Sequence, residues 1–243
     1  MNPGSRRRYA APSHFVARRI AAAEHLDDAS IPADDRAASY RDLERFEAWP
    51  WQFGPLLDGV RRVLGPTPPA RVSLLELGAG TGHTGRRLAA ALAARGIDVA
   101  LHLTDRDPGF LDPGPGVTVS RLDWLRDPLP VADVVVANLV LHHFATADAV
   151  TVLRKAGEAA RLGGVVYDLD RNSLVFHGLR LALPWLVESP VTEADALISV
   201  QQAFTREELG AMAEEAGLPA PRVTRHGLAR NRLVWRHAGT GAR

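Results

Sequence analysis

The chain begins with apolar residues at helical spacing. Phe15, Val16, Ile20 and Ala23 recur at such intervals, and so do Tyr40, Leu43 and Phe46. This predicts a helical N-terminal region that closes at the breaker Gly65-Pro66-Thr67-Pro68-Pro69. Short strand-like runs then take over: Val72 to Leu77, Val99 to Thr104, Val117 to Leu122, Val131 to Asn138 (nearly all apolar) and Val165 to Leu169. Such runs predict parallel strands buried on both faces. Helical stretches alternate with them, at Arg86 to Arg95 (stopped by Gly96) and at Ala147 to Ala160. A late helix runs from Thr205 to Ala216. Thr205 is its N-cap, Glu208 the capping-box partner and Gly217 the stop. Val223 to His226 and Arg232 to Trp235 predict a terminal antiparallel pair. The pattern contains no internal repeat.

Alternation of this kind predicts a doubly wound α/β sheet with an N-terminal helical cap over residues 1–70 and a core over 71–243. Acidic or amide residues stand just after four successive strands: Asp105, Asp123, Asn138 and Asp168. Ligands of open parallel sheets bind outside the carboxyl ends of the strands, so these groups fall along one crevice. Residues 172–204 read as a helical insertion on that side. Its apolar stretch, Leu174, Val175, Phe176, Leu179, Leu183, Trp185 and Leu186, suits a cover over an apolar ligand, a buried helix or a homodimer face. Trp49, Trp51 and Phe53, around Pro50, suit either a pocket wall or packing of the cap.

The first strand leads into Leu74-Leu75-Glu76-Leu77-Gly78-Ala79-Gly80-Thr81-Gly82-His83-Thr84-Gly85. Glycines let the chain turn tightly and let a ligand approach the backbone, and the helix that follows offers unpaired N–H groups. Gly80, Gly82 and Gly85 fit the dinucleotide fingerprint G-x-G-x-x-G, which is weak alone. Glu76, Gly78, Gly80 and Gly82 fit E-x-G-x-G-x-G, which resembles motif I of the class I S-adenosylmethionine-dependent methyltransferases. Further segments resemble that family in order and spacing: Thr104-Asp105-Arg106-Asp107-Pro108, Leu122-Asp123-Trp124, Asp133 to Phe144, and Gly163-Gly164-Val165-Val166-Tyr167 as the turn into the fifth strand. The resemblance implies a Rossmann-like seven-stranded doubly wound sheet, mostly parallel with the last strand antiparallel. It also implies S-adenosylmethionine as cofactor and S-adenosylhomocysteine as product.

Each residue has a role that suits its chemistry. Asp105, with Arg106 beside it, can accept from both ribose hydroxyls. Asp123 can accept from the adenine amino group while the Trp124 backbone serves a ring nitrogen. The backbone of Gly78, Ala79, Gly80 and Gly82 passes the amino-acid part of the cofactor. The resemblance puts Glu76 near the ligand, through water or the backbone. Asn138 and Leu139 offer backbone groups to the methionine part.

Composition narrows the alternatives. The 243 residues hold no cysteine, which excludes disulfides, thiol nucleophiles and Cys-rich metal sites. Lys155 is the one lysine, hence the one candidate Schiff-base nucleophile. A formal net charge of +1 gives no broad field toward nucleic acid or an anionic membrane. Phe15 to Ala23 is interrupted by Arg18 and Arg19, and no run is long enough to span a bilayer. The expectation is therefore a cytoplasmic protein without membrane insertion. A short-chain dehydrogenase would carry Tyr-x-x-x-Lys. Here Ser13, Glu44 and Arg171 stand four residues after Tyr9, Tyr40 and Tyr167.

Methyl transfer to a hydroxyl or an acidic carbon needs a base. His142 and His143 follow the fourth strand, at the crevice mouth, and are candidates; His177 is a third, in the apolar segment. Asp168, Asp170 and Asn172 match only half of a calcium loop, since Ser173 and Leu179 replace its glycine and glutamate, so no metal is expected. Arg222, Arg225, Arg230, Arg232 and Arg236 read as charged protection of a sheet edge. The expected function is O-methylation of a phenolic or hydroxylated small molecule. The alternatives are C- or N-methylation, or a protein that binds S-adenosylmethionine for a different reaction or for binding alone.

Overall fold

The computed structural model describes residues 9–28, 30–47, 50–111 and 113–238. Two helices, α1 (Ala33–Glu47) and α2 (Pro50–Leu64), precede β1 (Arg71–Leu77), α3 (His83–Ala93), β2 (Asp98–Asp105), β3 (Val117–Arg121) and β4 (Ala132–Asn138). Next come α4 (Thr146–Ala159), β5 (Ala160–Leu169), α5 (Ser173–Leu186), α6 (Pro190–Gln202) and α7 (Arg206–Glu215). The hairpin β6 (Arg222–His226) and β7 (Arg230–Arg236) completes the sheet. Strand order is β3-β2-β1-β4-β5-β7-β6. Strands β1 to β5 pair in parallel, while β7 runs antiparallel to both β5 and β6.

Strand side chains alternate between two buried faces. Leu74, Val134, Val136 and Val165 pack with Leu56, Val60 and Val63 of α2 and Leu88 of α3. Leu75, Val135, Val166 and Leu233 pack with Leu153 of α4 and Met212 of α7. Both faces being covered explains why the strands read as continuous apolar runs. The capping box of α7 forms: Glu208 N donates to Thr205 Oγ1 at 3.2 Å, and Thr205 N donates to Glu208 Oε2 at 2.9 Å.

A third apolar cluster joins Phe176 and Leu183 of α5 to Leu197 and Val200 of α6, with Phe15 and Phe46 against it. Ser39 of α1 bonds Thr192 of α6 at 2.9 Å, and the Asp42 carboxylate accepts from Ser189 N at 2.9 Å. Parts of the chain some 150 residues apart thus form one helical lobe beside the sheet.

Three expectations change. Residues 15–23 form no helix. They run as a strap held by α6: Val16 N donates to the Gln201 side chain and Ile20 N to the Gln201 carbonyl. Arg19, which interrupts the apolar spacing, bonds the carbonyls of Gln202, His142 and Phe144, a set of partners from two separate segments. The expected cap over residues 1–70 also divides, because α2 covers the sheet while α1 joins α5 and α6. Finally, Gly163 and Gly164 lie inside β5 and not in a turn before it. A Cβ would meet the Trp235 carbonyl oxygen at 2.2 Å from Gly163, and the Trp235 ring at 2.3 Å from Gly164, so only glycine lets β7 approach here.

Candidate active site

The loop after β1 is held from below. Gly78 N and Ala79 N both donate to the Thr104 carbonyl at the end of β2, at 3.0 and 3.1 Å. Gly78, Gly80 and Gly82 all have positive φ, at 70°, 53° and 76°. At Gly78 a side chain is also excluded by space, because a Cβ would meet Val140 at 2.3 Å. Glu76 is fully buried under the loop, where it accepts from Gly85 N at 2.9 Å and fixes the first turn of α3. Its placement is that of a support for the loop, from behind.

The strand-end residues gather as the alternation predicts. Asp105 Oδ2 accepts from Gly80 N at 3.0 Å and its Oδ1 from Asp107 N at 3.0 Å, so one carboxylate ties the glycine loop to the end of β2. Asp123 Oδ1 accepts from Leu125 N at 3.0 Å. Trp124 is buried, its indole N–H donating to Thr104 Oγ1 at 3.3 Å. Asn138 donates to Thr84 Oγ1 at 3.3 Å. Leu139 has φ 57°, a left-handed conformation that a leucine rarely takes, and its N–H donates to the Tyr167 carbonyl at 2.9 Å. Strain of this kind persists where surrounding contacts over-determine it, and it concentrates at binding sites. Arg106 is exposed and lies 3.6 Å from Asp27.

Of the residues expected from the sequence at the cofactor, all but Glu76 and Gly82 border one cavity of about 1270 Å³. Small-ligand pockets typically measure about 300–1,000 Å³, so this cavity is large enough for a cofactor together with a second molecule. Its far wall is apolar and aromatic: Leu43 and Phe46 of α1, Phe53 of α2, and Val175, Leu179 and Leu183 of α5. The guanidinium of Arg87 lies 4.1 Å from the Phe53 ring centre. Of the predicted aromatic cluster, Trp49 and the Trp51 side chain lie outside the described residues.

Between the two halves lie the histidines. His142 is buried; its Nδ1 is 2.6 Å from Asp168 Oδ1 and its Nε2 is 3.5 Å from Glu24 Oε1. Its backbone N–H donates to Asp168 Oδ2 at 3.0 Å. Burial pushes the His142 pKa down, but Asp168 and then Glu24 outweigh this and raise it to about 10. His142 therefore carries its proton at neutral pH. Burial raises the pKa of both carboxylates, and the imidazoles more than offset this, leaving both ionised. His143 is more open, at 31% exposure, and its Nδ1 lies 3.6 Å from Asp27 Oδ2. The bond to His143 holds the Asp27 pKa below the usual carboxylate range. Glu24, His142 and His143 also place polar atoms within 4.8 Å of one another, but a protonated His142 has no lone pair to give a cation. The ion pairs to His142 already neutralise charge there.

Neither Glu24 nor Asp27 stands out in the sequence. Both lie on the strap, which is pinned by Asp195 of α6 accepting from His25 N and Leu26 N at 2.8 and 2.9 Å. Arg19 is the nearest thing to a signal, a charge breaking an apolar helical spacing. His177 departs from expectation: it is exposed and does not border the cavity. The cavity side of α5 is set by Val175, Leu179, Leu183 and Leu186, and His177 falls on the opposite side of the helical wheel. Asp168, Asp170 and Asn172 go three separate ways: to His142, to Arg225 and Asn231, and to the N-cap of α5. Lys155 donates to the carbonyls of Trp124 and Asp127, which makes it a brace behind the Asp123 turn.

The sheet order, the antiparallel final strand and the glycine loop at its centre are those of a Rossmann-like methyltransferase fold. Residues 75–166, from β1 to β5, match the family model described as a methyltransferase domain, and the resemblance seen in the sequence is borne out there. Solved structures share the architecture at low identity. PigF with S-adenosylhomocysteine is 18% identical with a TM-score of 0.55, covering 84% of this chain and 59% of that one. Human N-acetylserotonin methyltransferase with S-adenosylmethionine is 16% identical with a TM-score of 0.56, covering 91% and 63%. The plantazolicin methyltransferase BpumL, with a monoazolic desmethyl analogue and S-adenosylhomocysteine, is 12% identical with a TM-score of 0.64, covering 84% and 91%. The chain thus spans under two thirds of the first two and nearly all of the third. No curated protein sequence matches it.

Proposed function

We propose that the protein transfers a methyl group from S-adenosylmethionine to a hydroxyl oxygen of a small, ring-containing molecule. The observation that carries this reading is the single cavity joining the glycine loop, Asp105 and Asp123 to a histidine held by a carboxylate. The donor set fits the cofactor: carboxylates for ribose and adenine, and a loop whose glycines leave the backbone bare. When bound, S-adenosylmethionine supplies an electrophilic methyl on a positively charged sulfur.

The chain's own part is to position, exclude water and take a proton. Asp105 and Asp123 hold the cofactor, while Leu139 and Asn138 shape the passage from it toward the histidines. The apolar wall of α1, α2 and α5 receives the acceptor's rings. His143 takes the hydroxyl proton, with Asp27 orienting its ring. His142, already protonated, anchors Glu24 beside it. A phenol holds its proton with a pKa of about 10, so a base beside the oxygen is what distinguishes this site from one built for amines. The neighbours support a small acceptor, since two are named for N-acetylserotonin and plantazolicin methylation. The test is a panel of hydroxylated aromatic acceptors and matched anilines, read by S-adenosylhomocysteine release. Release with the hydroxyl series is expected. Release confined to the amine series would overturn the assignment to oxygen.

A further inference from the structure

A second concave site lies away from the methyl-transfer cavity and shares no lining residue with it. It is a groove of about 700 Å³ between the C-terminal end of α2 and the β6–β7 hairpin. Arg61 and Arg62 enter from α2; Arg222, Arg232 and Arg236, with Thr224, enter from the hairpin. The register explains the convergence. Arg222 pairs with Val234 and Thr224 with Arg232, so these alternate residues share one face of the hairpin, the face against α2.

The charge in the groove is not balanced. Asp58 pairs with Arg62 at 2.8 Å and with Arg232 at 2.7 Å. Among the described residues, Arg61, Arg222 and Arg236 pair with no carboxylate. Five guanidinium groups therefore face one carboxylate, in a protein whose formal net charge is only +1. Positions at a helix C-terminus explain Arg61 and Arg62 in part, and protection of a sheet edge explains Arg222. Neither explains burial. Arg232 is 4% exposed, and both its Nε and that of Arg61 are buried with no hydrogen-bond partner. A buried donor left unpaired is costly, and an incoming acceptor removes that cost.

We propose that this groove is a binding site for a compact anion carrying two or more phosphoryl groups. Planar guanidinium forks match phosphate oxygens in pairs, and like charges lining a concave surface concentrate the field there. The groove is short and the rest of the molecule nearly neutral, which favours a small polyphosphate-bearing ligand over a nucleic-acid track.

The test is calorimetric titration of the full chain with inorganic pyrophosphate at low salt, with inorganic phosphate and a single-stranded oligonucleotide as further arms. Saturable one-to-one binding of pyrophosphate, tighter than that of phosphate and unchanged by saturating S-adenosylhomocysteine, is expected. Arg222 and Arg236 are exposed, so R222Q/R236Q folds and weakens that binding by about tenfold or more. Arg154→Gln, which removes an exposed charge on α4, leaves it unchanged. Absence of saturable binding, equal loss in R154Q, displacement by S-adenosylhomocysteine, or binding of several proteins along the oligonucleotide would each overturn the proposal.

Discussion

The two halves of the cavity are built in different ways. The half proposed for the cofactor comes from the ends of consecutive strands and the loops that follow them, all within residues 76–139. Its geometry is local: Asp105 binds Gly80 across one strand-to-strand step, and the loop rests on the carbonyl of Thr104. The half proposed for the acceptor is assembled from the strap, α1, α2, the tip of β4, the end of β5, α5 and α6. Its central contact, His142 with Glu24, joins residues 118 positions apart in the chain. A site made by strand order can be seen in a sequence. A site made by the docking of distant segments has no local signature.

That contrast separates what was legible from what was not. Asp105, Asp123 and Asn138 announce themselves because an apolar run ends at each. The central strands do so because burial on both faces leaves them few polar positions. The start of β5 is hidden at Gly163-Gly164, since turn and close strand approach both call for glycine. The strap is hidden because residues 15–23 satisfy helical spacing while the backbone N–H groups of Val16 and Ile20 bond to Gln201 of α6. His177 sits in an apolar segment, and only the rotation of α5 decides which way it faces. His142 was found as a residue but not as a state: nothing in the sequence says that two buried carboxylates keep it charged.

The largest way to break the comparison is through Asp168. Asp168→Ala leaves the imidazolium of His142 buried with one carboxylate fewer and lowers unfolding stability by about 3–5 kcal/mol in urea titration. A loss under about 1 kcal/mol would mean that the pair is not what holds the acceptor half together. A pH dependence follows from the same pair. The His142 pKa is raised in the folded state, so its contribution to stability is fully present below about 6.5, the unfolded value, and is lost as pH rises toward about 10. Stability of the wild type should fall across that window, and the fall should flatten in Asp168→Ala.

Next in size, His143→Ala lowers turnover by about a hundredfold or more while leaving S-adenosylhomocysteine affinity unchanged. Asp27→Asn lowers turnover by about tenfold, again without affecting affinity. Loss of cofactor affinity in either variant would merge the two halves that the geometry separates. The reverse experiment is Asp105→Ala, which weakens S-adenosylhomocysteine binding by about 2 kcal/mol, roughly thirtyfold. Smallest of all, His177→Ala changes turnover and stability by no more than about 0.5 kcal/mol. A larger effect would place α5 in another rotation.

The most direct measurement of the central claim is calorimetric titration of the wild-type chain with S-adenosylhomocysteine, with NADPH as the control dinucleotide. One-to-one binding of S-adenosylhomocysteine and no heat from NADPH is the predicted result. Binding of NADPH, or of neither ligand, would contradict the reading of Asp105, Asp123 and the glycine loop as an S-adenosylmethionine site.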